Sequence, residues 1–161
     1  MHAIFSLFPH NRTRGITLIE ILAVVAIVLL LSAMSLAAFS AFRAGKIMDV
    51  AVEVTMTAFS RAHFDTISSK GDQQYGMHLD SDKATYFVGP TYSGGASTNI
   101  VYALNPVLEI ANVTLAGGGN DVLFNRLTGG TGQSGTFEIR LKGSTSIRTL
   151  VRVNGTGAVT L

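Results

Sequence analysis

Hydrophobic and polar positions fall into three regimes along this chain. From Ile21 to Phe42 there is no charged residue, a run of 22 positions. A helix rises about 1.5 Å per residue, so such a run would extend about 33 Å and cross a hydrocarbon core of about 30 Å. From Ala44 to about Ser69 the pattern turns amphipathic. Ile47, Val50, Ala51, Val54, Ala58 and Ala62 recur at helical spacing, with Lys46, Asp49, Glu53 and Arg61 mainly off that stripe. No proline interrupts this stretch, and Ser68-Ser69-Lys70-Gly71-Asp72 supplies a stop with Gly71 as its cap.

Beyond residue 72 the period shortens to that of strands. Tyr75–Met77 and Thr85–Val88 read as short strands around Asp80-Ser81-Asp82-Lys83. Asn99–Leu104 and Val107–Leu115 follow, broken by Asn105-Pro106, and Val122–Leu127 follows the flexible turn Gly117-Gly118-Gly119-Asn120. In Phe137-Glu138-Ile139-Arg140-Leu141-Lys142 apolar residues alternate strictly with charges, the pattern of a strand with one buried face. Ile147–Val153 puts Arg148 and Arg152 on one face, and Asn154-Gly155 turns the chain into Ala158–Leu161 as a hairpin.

Composition adds two constraints. The 161 residues suit one domain plus an anchor, and the absence of cysteine excludes disulfides, a lipoprotein anchor and thiolate metal sites. Charge is unevenly spread. Residues 44–121 carry four basic and eight acidic groups, whereas residues 122–161 carry five basic and one acidic. Such asymmetry suits subunit stacking or a polyanion, and equally a solvated surface with no partner.

The chemistry concentrates in Arg14-Gly15-Ile16-Thr17-Leu18-Ile19-Glu20, ahead of the apolar run. A carboxylate beside hydrocarbon costs several kcal/mol if unpaired, and such residues are usually functional. A secretory signal would want an apolar region of about 7–15 residues with no acid in it. Small residues at Ser32-Ala33-Met34 and Ala37-Ala38 nevertheless keep that alternative open, as does a plain membrane anchor.

This segment resembles the N-terminus of type IV pilins and pseudopilins, the class III signal peptide. The resemblance implies cleavage by a prepilin peptidase after Gly15, N-methylation of Ile16, and a role in assembly for Glu20 as the fifth mature residue. Ile16 stands where the family most often has phenylalanine, and Ala37 where many members have a proline. Gly15 has no side chain, which suits a scissile position that a protease must clamp closely. Cleavage would free an α-amine on Ile16 whose charge meets Glu20 of another copy, pairing two groups that are each costly alone in apolar surroundings.

The fold the resemblance implies is α+β, a long N-terminal hydrophobic helix packed on a C-terminal antiparallel β-sheet domain. Residues 1–15 are then the leader, 16–42 the transmembrane or filament-core helix, and 43–161 the globular domain, helical to about residue 69. Arg12 and Arg14 would hold the N-terminus in the cytoplasm and place the domain outside the inner membrane. Arg43 and Lys46 blunt that bias. The last 40 residues also resemble the GspH/FimT-like minor pseudopilins, through Gly135-Thr136-Phe137, Ile139, Leu141, Arg148–Val153, Gly157 and Val159.

No catalytic constellation stands out. His2, His10, His63 and His78 lack HExxH or HxH spacing, no serine lies in a G-x-S-x-G elbow, and Gly129–Gly135 lacks the lysine of a phosphate loop and reads as a hairpin loop. Asp80-x-Asp82 offers too few oxygens for calcium, so neither a metal nor a cofactor is expected. Asn112 and Asn154 open Asn-x-Thr triplets of the kind expected by chance.

The expected function is therefore that of a structural, non-enzymatic subunit of a type II secretion or type IV pilus filament. Its partners would be the peptidase, the inner membrane and other pilin-like subunits. The alternative is a DNA-uptake minor pilin in which Arg140, Lys142, Arg148 and Arg152 neutralise phosphates.

Overall fold

The structure is a computed structural model that describes residues 15–161, apart from the side chains at positions 37, 38, 40 and 41. The chain divides after Phe42 into two compact units. Helix α1 comprises Leu18–Ile67 and so contributes to both.

In the first unit, Leu18–Leu36 is long and apolar enough to cross a membrane, and none of it is buried within the molecule. The two serines there are accommodated locally. Ser32 Oγ donates to the Val28 carbonyl at 2.7 Å and Ser35 Oγ to that of Leu31 at 2.9 Å, so neither hydroxyl needs water.

In the second unit, the stripe that α1 lays on the core coincides only in part with the one the periodicity suggests. Met48, Val52, Thr55, Phe59, Ala62 and Thr66 are buried, at alternating spacings of four and three, together with Ala51 and Ala58. Val50 and Val54 are 58% and 39% exposed. Two adjacent apolar faces had merged in the sequence pattern, and only one of them meets the sheets. The buried Thr55 and Thr66 hydroxyls each donate to the carbonyl four residues back, at 2.8 Å. The helix ends at Ile67. Ser69 (φ 49°) as well as Gly71 (φ 58°) takes the left-handed conformation that turns the chain away.

Eight strands follow, β1 (Tyr75–Leu79), β2 (Lys83–Val88), β3 (Ile100–Ala103), β4 (Leu108–Leu115), β5 (Asp121–Leu123), β6 (Gly135–Leu141), β7 (Arg148–Val153) and β8 (Val159–Thr160). They form two four-stranded antiparallel sheets of order β3-β2-β1-β5 and β4-β6-β7-β8. The chain alternates between sheets from β3 to β6. The α+β architecture is thus a helix with two antiparallel sheets.

Phe59 ties α1 to this core. Its ring stacks on Phe137 of β6 at 5.7 Å between centroids and meets Phe124, just past β5, edge-on at 6.5 Å. Met77, Leu79, Ile139, Val151 and Val153 fill the space around them. One backbone hydrogen bond, from Ile110 to the Ser81 carbonyl at 2.8 Å, joins β4 to the β1–β2 turn.

Two local expectations are corrected. The segment 122–127 is strand only as far as Leu123. Asn125 N–H then donates to the Gly130 carbonyl and Gly129 N–H to that of Asn125, both at 2.8 Å, so residues 125–130 close into a turn. Leu127 sits exposed at its tip with φ 67°. The glycine-rich stretch Gly129–Gly135 connects β5 of one sheet to β6 of the other, so it is a crossover between sheets and not a hairpin loop.

Candidate functional site

The N-terminal constellation begins at Gly15 and Ile16, both exposed and outside regular structure. Among the described residues, a Cβ placed on Gly15 would meet nothing within 4 Å. Arg12 and Arg14, like His2, His10 and the other residues before Gly15, lie outside the described residues.

Thr17 caps α1. Its hydroxyl oxygen accepts the Glu20 N–H at 3.3 Å, and its carbonyl accepts from Glu20 and Ile21 at 3.1 and 3.2 Å. Thr17-Leu18-Ile19-Glu20 thus has the spacing of a capping box, which occupies the free N–H groups of a helix start. Glu20 also lies in the first turn, where the partial positive charge of the helix terminus favours an acid. The Thr-x-x-Glu spacing was the signal in the sequence for Thr17 as the cap, and Glu20 takes part locally through its backbone N–H and its charge in the first turn.

That local role leaves the carboxylate available. Glu20 is exposed, and no described residue forms an ion pair with it. A positive group has to come from elsewhere if the charge is to be matched in apolar surroundings.

The four basic residues near the C-terminus occupy the outer face and edge of the second sheet. Arg140 and Arg148 lie directly opposite each other on β6 and β7. Like charges so placed repel, but each has its own carboxylate. Arg140 Nε donates to Glu109 Oε1 at 2.7 Å, and Arg148 Nη1 to Glu138 Oε1 at 3.1 Å. Glu138 is buried and also accepts from Asn112 Nδ2 at 2.8 Å, where β4 bulges and Asn112 adopts φ 51°. Lys142 and Arg152 are exposed and form no ion pair among the described residues. The four therefore differ in their surroundings. Two of them are already spent on neighbouring acids.

Elsewhere, polar groups serve the fold. His78 lies between Asp121 (Nδ1 to Oδ1, 2.5 Å) and Asp80 (Nε2 to Oδ1, 3.2 Å), and its ring stacks on Tyr92 at 3.8 Å. This clasp fastens the loop after β2 to the first sheet. Asp80 also faces Lys83 at 3.6 Å. Among the described residues, no group of three or more histidine or acidic side chains converges to hold a metal ion. His63 is half-buried against Phe124, beneath Gly129 and Gly157.

Nothing in the sequence pointed to the network around Asp65. This buried carboxylate accepts from Tyr86 Oη at 2.8 Å and Lys70 Nζ at 3.2 Å, with Arg61 Nε 3.9 Å away. Burial, and then the hydrogen bond to Asp65, push the Tyr86 phenol well above the usual tyrosine range. Arg61 in turn donates to Tyr102 Oη and lies over the Tyr86 ring, 5.3 Å from its centroid.

Comparison with known proteins bears on the N-terminal segment alone. No curated protein and no solved structure matches the chain. Residues 10–36 match the family model described as the prokaryotic N-terminal methylation motif. That stretch contains Gly15, Ile16, Thr17 and Glu20, and its match supports the type IV pilin and pseudopilin family for this chain.

Proposed function

We propose that this protein is a pilin-like structural subunit, a minor pseudopilin or minor pilin of a type II secretion or type IV pilus filament. The observation that carries the reading is the methylation motif over residues 10–36, placed at the capped start of an exposed, membrane-length apolar helix. In this reading residues 1–15 form a leader removed by a prepilin peptidase, 16–42 the membrane and filament-core segment, and 43–161 the domain outside the inner membrane. The similarity of the last 40 residues to GspH/FimT-like proteins favours a minor subunit.

Mechanistically, cleavage after Gly15 creates a cation at Ile16 and so changes what Glu20 can pair with. In the bilayer Glu20 is a carboxylate at the edge of hydrocarbon, which is costly. In a filament the methylated amine of a neighbouring Ile16 meets it, and neighbouring apolar helices replace lipid around the span. Assembly then loses little apolar burial and gains a matched charge pair.

The test is the mass and N-terminal residue of mature protein recovered from membranes. A methylated Ile16 terminus is expected, and Gly15→Trp should leave the precursor uncut. A terminus near Ala38 would overturn the reading in favour of a secretory signal.

A further inference from the structure

Strand β2 is buried on both faces. Ala84 and Tyr86 belong to the main core, while Thr85 and Phe87, which alternate with them, are each 1% exposed on the opposite face. The loop 89–99 lies over that second face. It contains no charged residue, and Tyr92 is its largest side chain. The Tyr92 ring meets Phe87 at 5.6 Å between centroids and stacks on His78 of β1 at 3.8 Å, within 8° of parallel. The hydrogen bonds from Ala96 N–H and Asn99 Nδ2 to the Ser93 carbonyl close within the loop. Its hold on the sheet beyond Gly89 therefore passes through Tyr92 to His78.

We infer that loop 89–99 is a pH-dependent cover on this face, shut while His78 carries two ring protons and released when it loses one. Donor counting carries the inference. A carboxylate only accepts hydrogen bonds, and His78 places Nδ1 2.5 Å from Asp121 Oδ1 and Nε2 3.2 Å from Asp80 Oδ1. Both contacts are hydrogen bonds only for the imidazolium. A neutral ring keeps one N–H and turns a lone pair on the other carboxylate. The imidazolium also presents a cation to the Tyr92 face, an attraction that the neutral ring lacks.

The charged groups facing the ring are Asp121 from β5 and Asp80 from the β1–β2 turn, with Lys83 of β2 3.6 Å from Asp80. Thr85 stands opposite His78 on β2, and Tyr92 is the titratable group stacked on its face. Two buried atoms favour opening. Thr85 Oγ1 and, at the loop's end, Asn99 Oδ1 have no hydrogen-bond partner among the described residues, a cost that water relieves once the loop lifts.

The test is hydrogen–deuterium exchange of the full chain in detergent micelles at pH 5 and pH 9. These lie on either side of about 6.5, where histidine ordinarily titrates, and rates are corrected for the intrinsic effect of pH. Protection of peptides covering 89–99 is expected to fall at least fivefold at pH 9, while peptides from β6 and β7 keep theirs. His78→Gln should abolish the difference between the two pH values. Asp80→Asn separates a titrating clasp from a merely structural contact. Its amide can donate to Nε2 of a neutral ring whose Nδ1–H still meets Asp121, so the loop should stay protected at pH 9.

Equal loop protection at both pH values in the unaltered chain would overturn the inference. So would a difference that persists in His78→Gln, or one left unchanged by Asp80→Asn, which decides alone if His78→Gln does not fold. A loss shared by β6 and β7 would mean that the domain unfolds as a whole and that no separate cover exists.

Discussion

Asp65 is a carboxylate taken out of water, and its stability depends on the groups that stay beside it. Tyr86 donates to it at 2.8 Å, and a hydrogen bond to a charged group contributes about 1.5–3 kcal/mol. Tyr86→Phe should therefore destabilise the domain by about that amount at neutral pH, measured by denaturant unfolding. The pH dependence follows from the raised Tyr86 phenol. An unfolded tyrosine loses its proton near pH 10, while the folded one keeps it, so the folded state binds more protons above that pH. The contribution is fully present below about pH 10 and is lost as pH rises beyond it. The phenylalanine variant should show a shallower alkaline decline, and an equal decline in both proteins would refute the assignment. A second residue-scale prediction concerns Gly157, at φ 84°. A Cβ there would lie 2.6 Å from His63 Cδ2 and press on the Gly129 carbonyl, whereas one on Gly155 meets nothing within 4 Å. Gly157→Ala should cost about 1–3 kcal/mol through left-handed strain and overpacking, and Gly155→Ala should be within about 0.5 kcal/mol of wild type.

At the scale of elements, legibility followed the number of faces an element exposes to competing environments. Strand β6 buries Phe137 and Ile139, and charges stand at Glu138 and Arg140, so its alternation was readable from residue types alone. Helix α1 was harder because Val50 and Val54 belong to an apolar face that the core leaves uncovered, next to the face of Val52 and Phe59. Spacing cannot say which of two adjacent apolar faces is buried. Past Leu123 the residues Phe124 and Leu127 still look strand-like, yet hydrogen bonds between Asn125 and Gly130 close a turn there. The candidate N-terminal site was drawn from residue types at Gly15, Ile16 and Glu20, while Thr17 needed its spacing from Glu20 to be read as a cap. Glu109 and Glu138 could not be matched to Arg140 and Arg148 without the register of β4, β6 and β7. The helix assignment has a direct check. Phe59→Ala should cost about 3–5 kcal/mol, whereas Val50→Ala should stay within about 0.5 kcal/mol. Comparable losses in the two would mean that the buried face is misassigned.

For the whole molecule, the unit from Arg43 to Leu161 carries its own core of helix and two sheets. A fragment beginning at Arg43 should be a soluble monomer with mixed helix and strand signals and one cooperative melt. Failure to melt cooperatively would place the boundary elsewhere. The alternation of strands between the sheets also sets an order on biosynthesis. Phe59 is made about 80 residues before Phe137, the ring it stacks on. At about 5–20 residues per second, that interval lasts on the order of 4–16 s. Throughout it the part of the helical face that Phe137 covers lacks its partner, because β6, β7 and β8 have not yet been translated. Maturation of the domain is thus governed by its final strands, and a ribosome stalled before Gly135 would leave an exposed apolar helix face on a chain that cannot complete its second sheet.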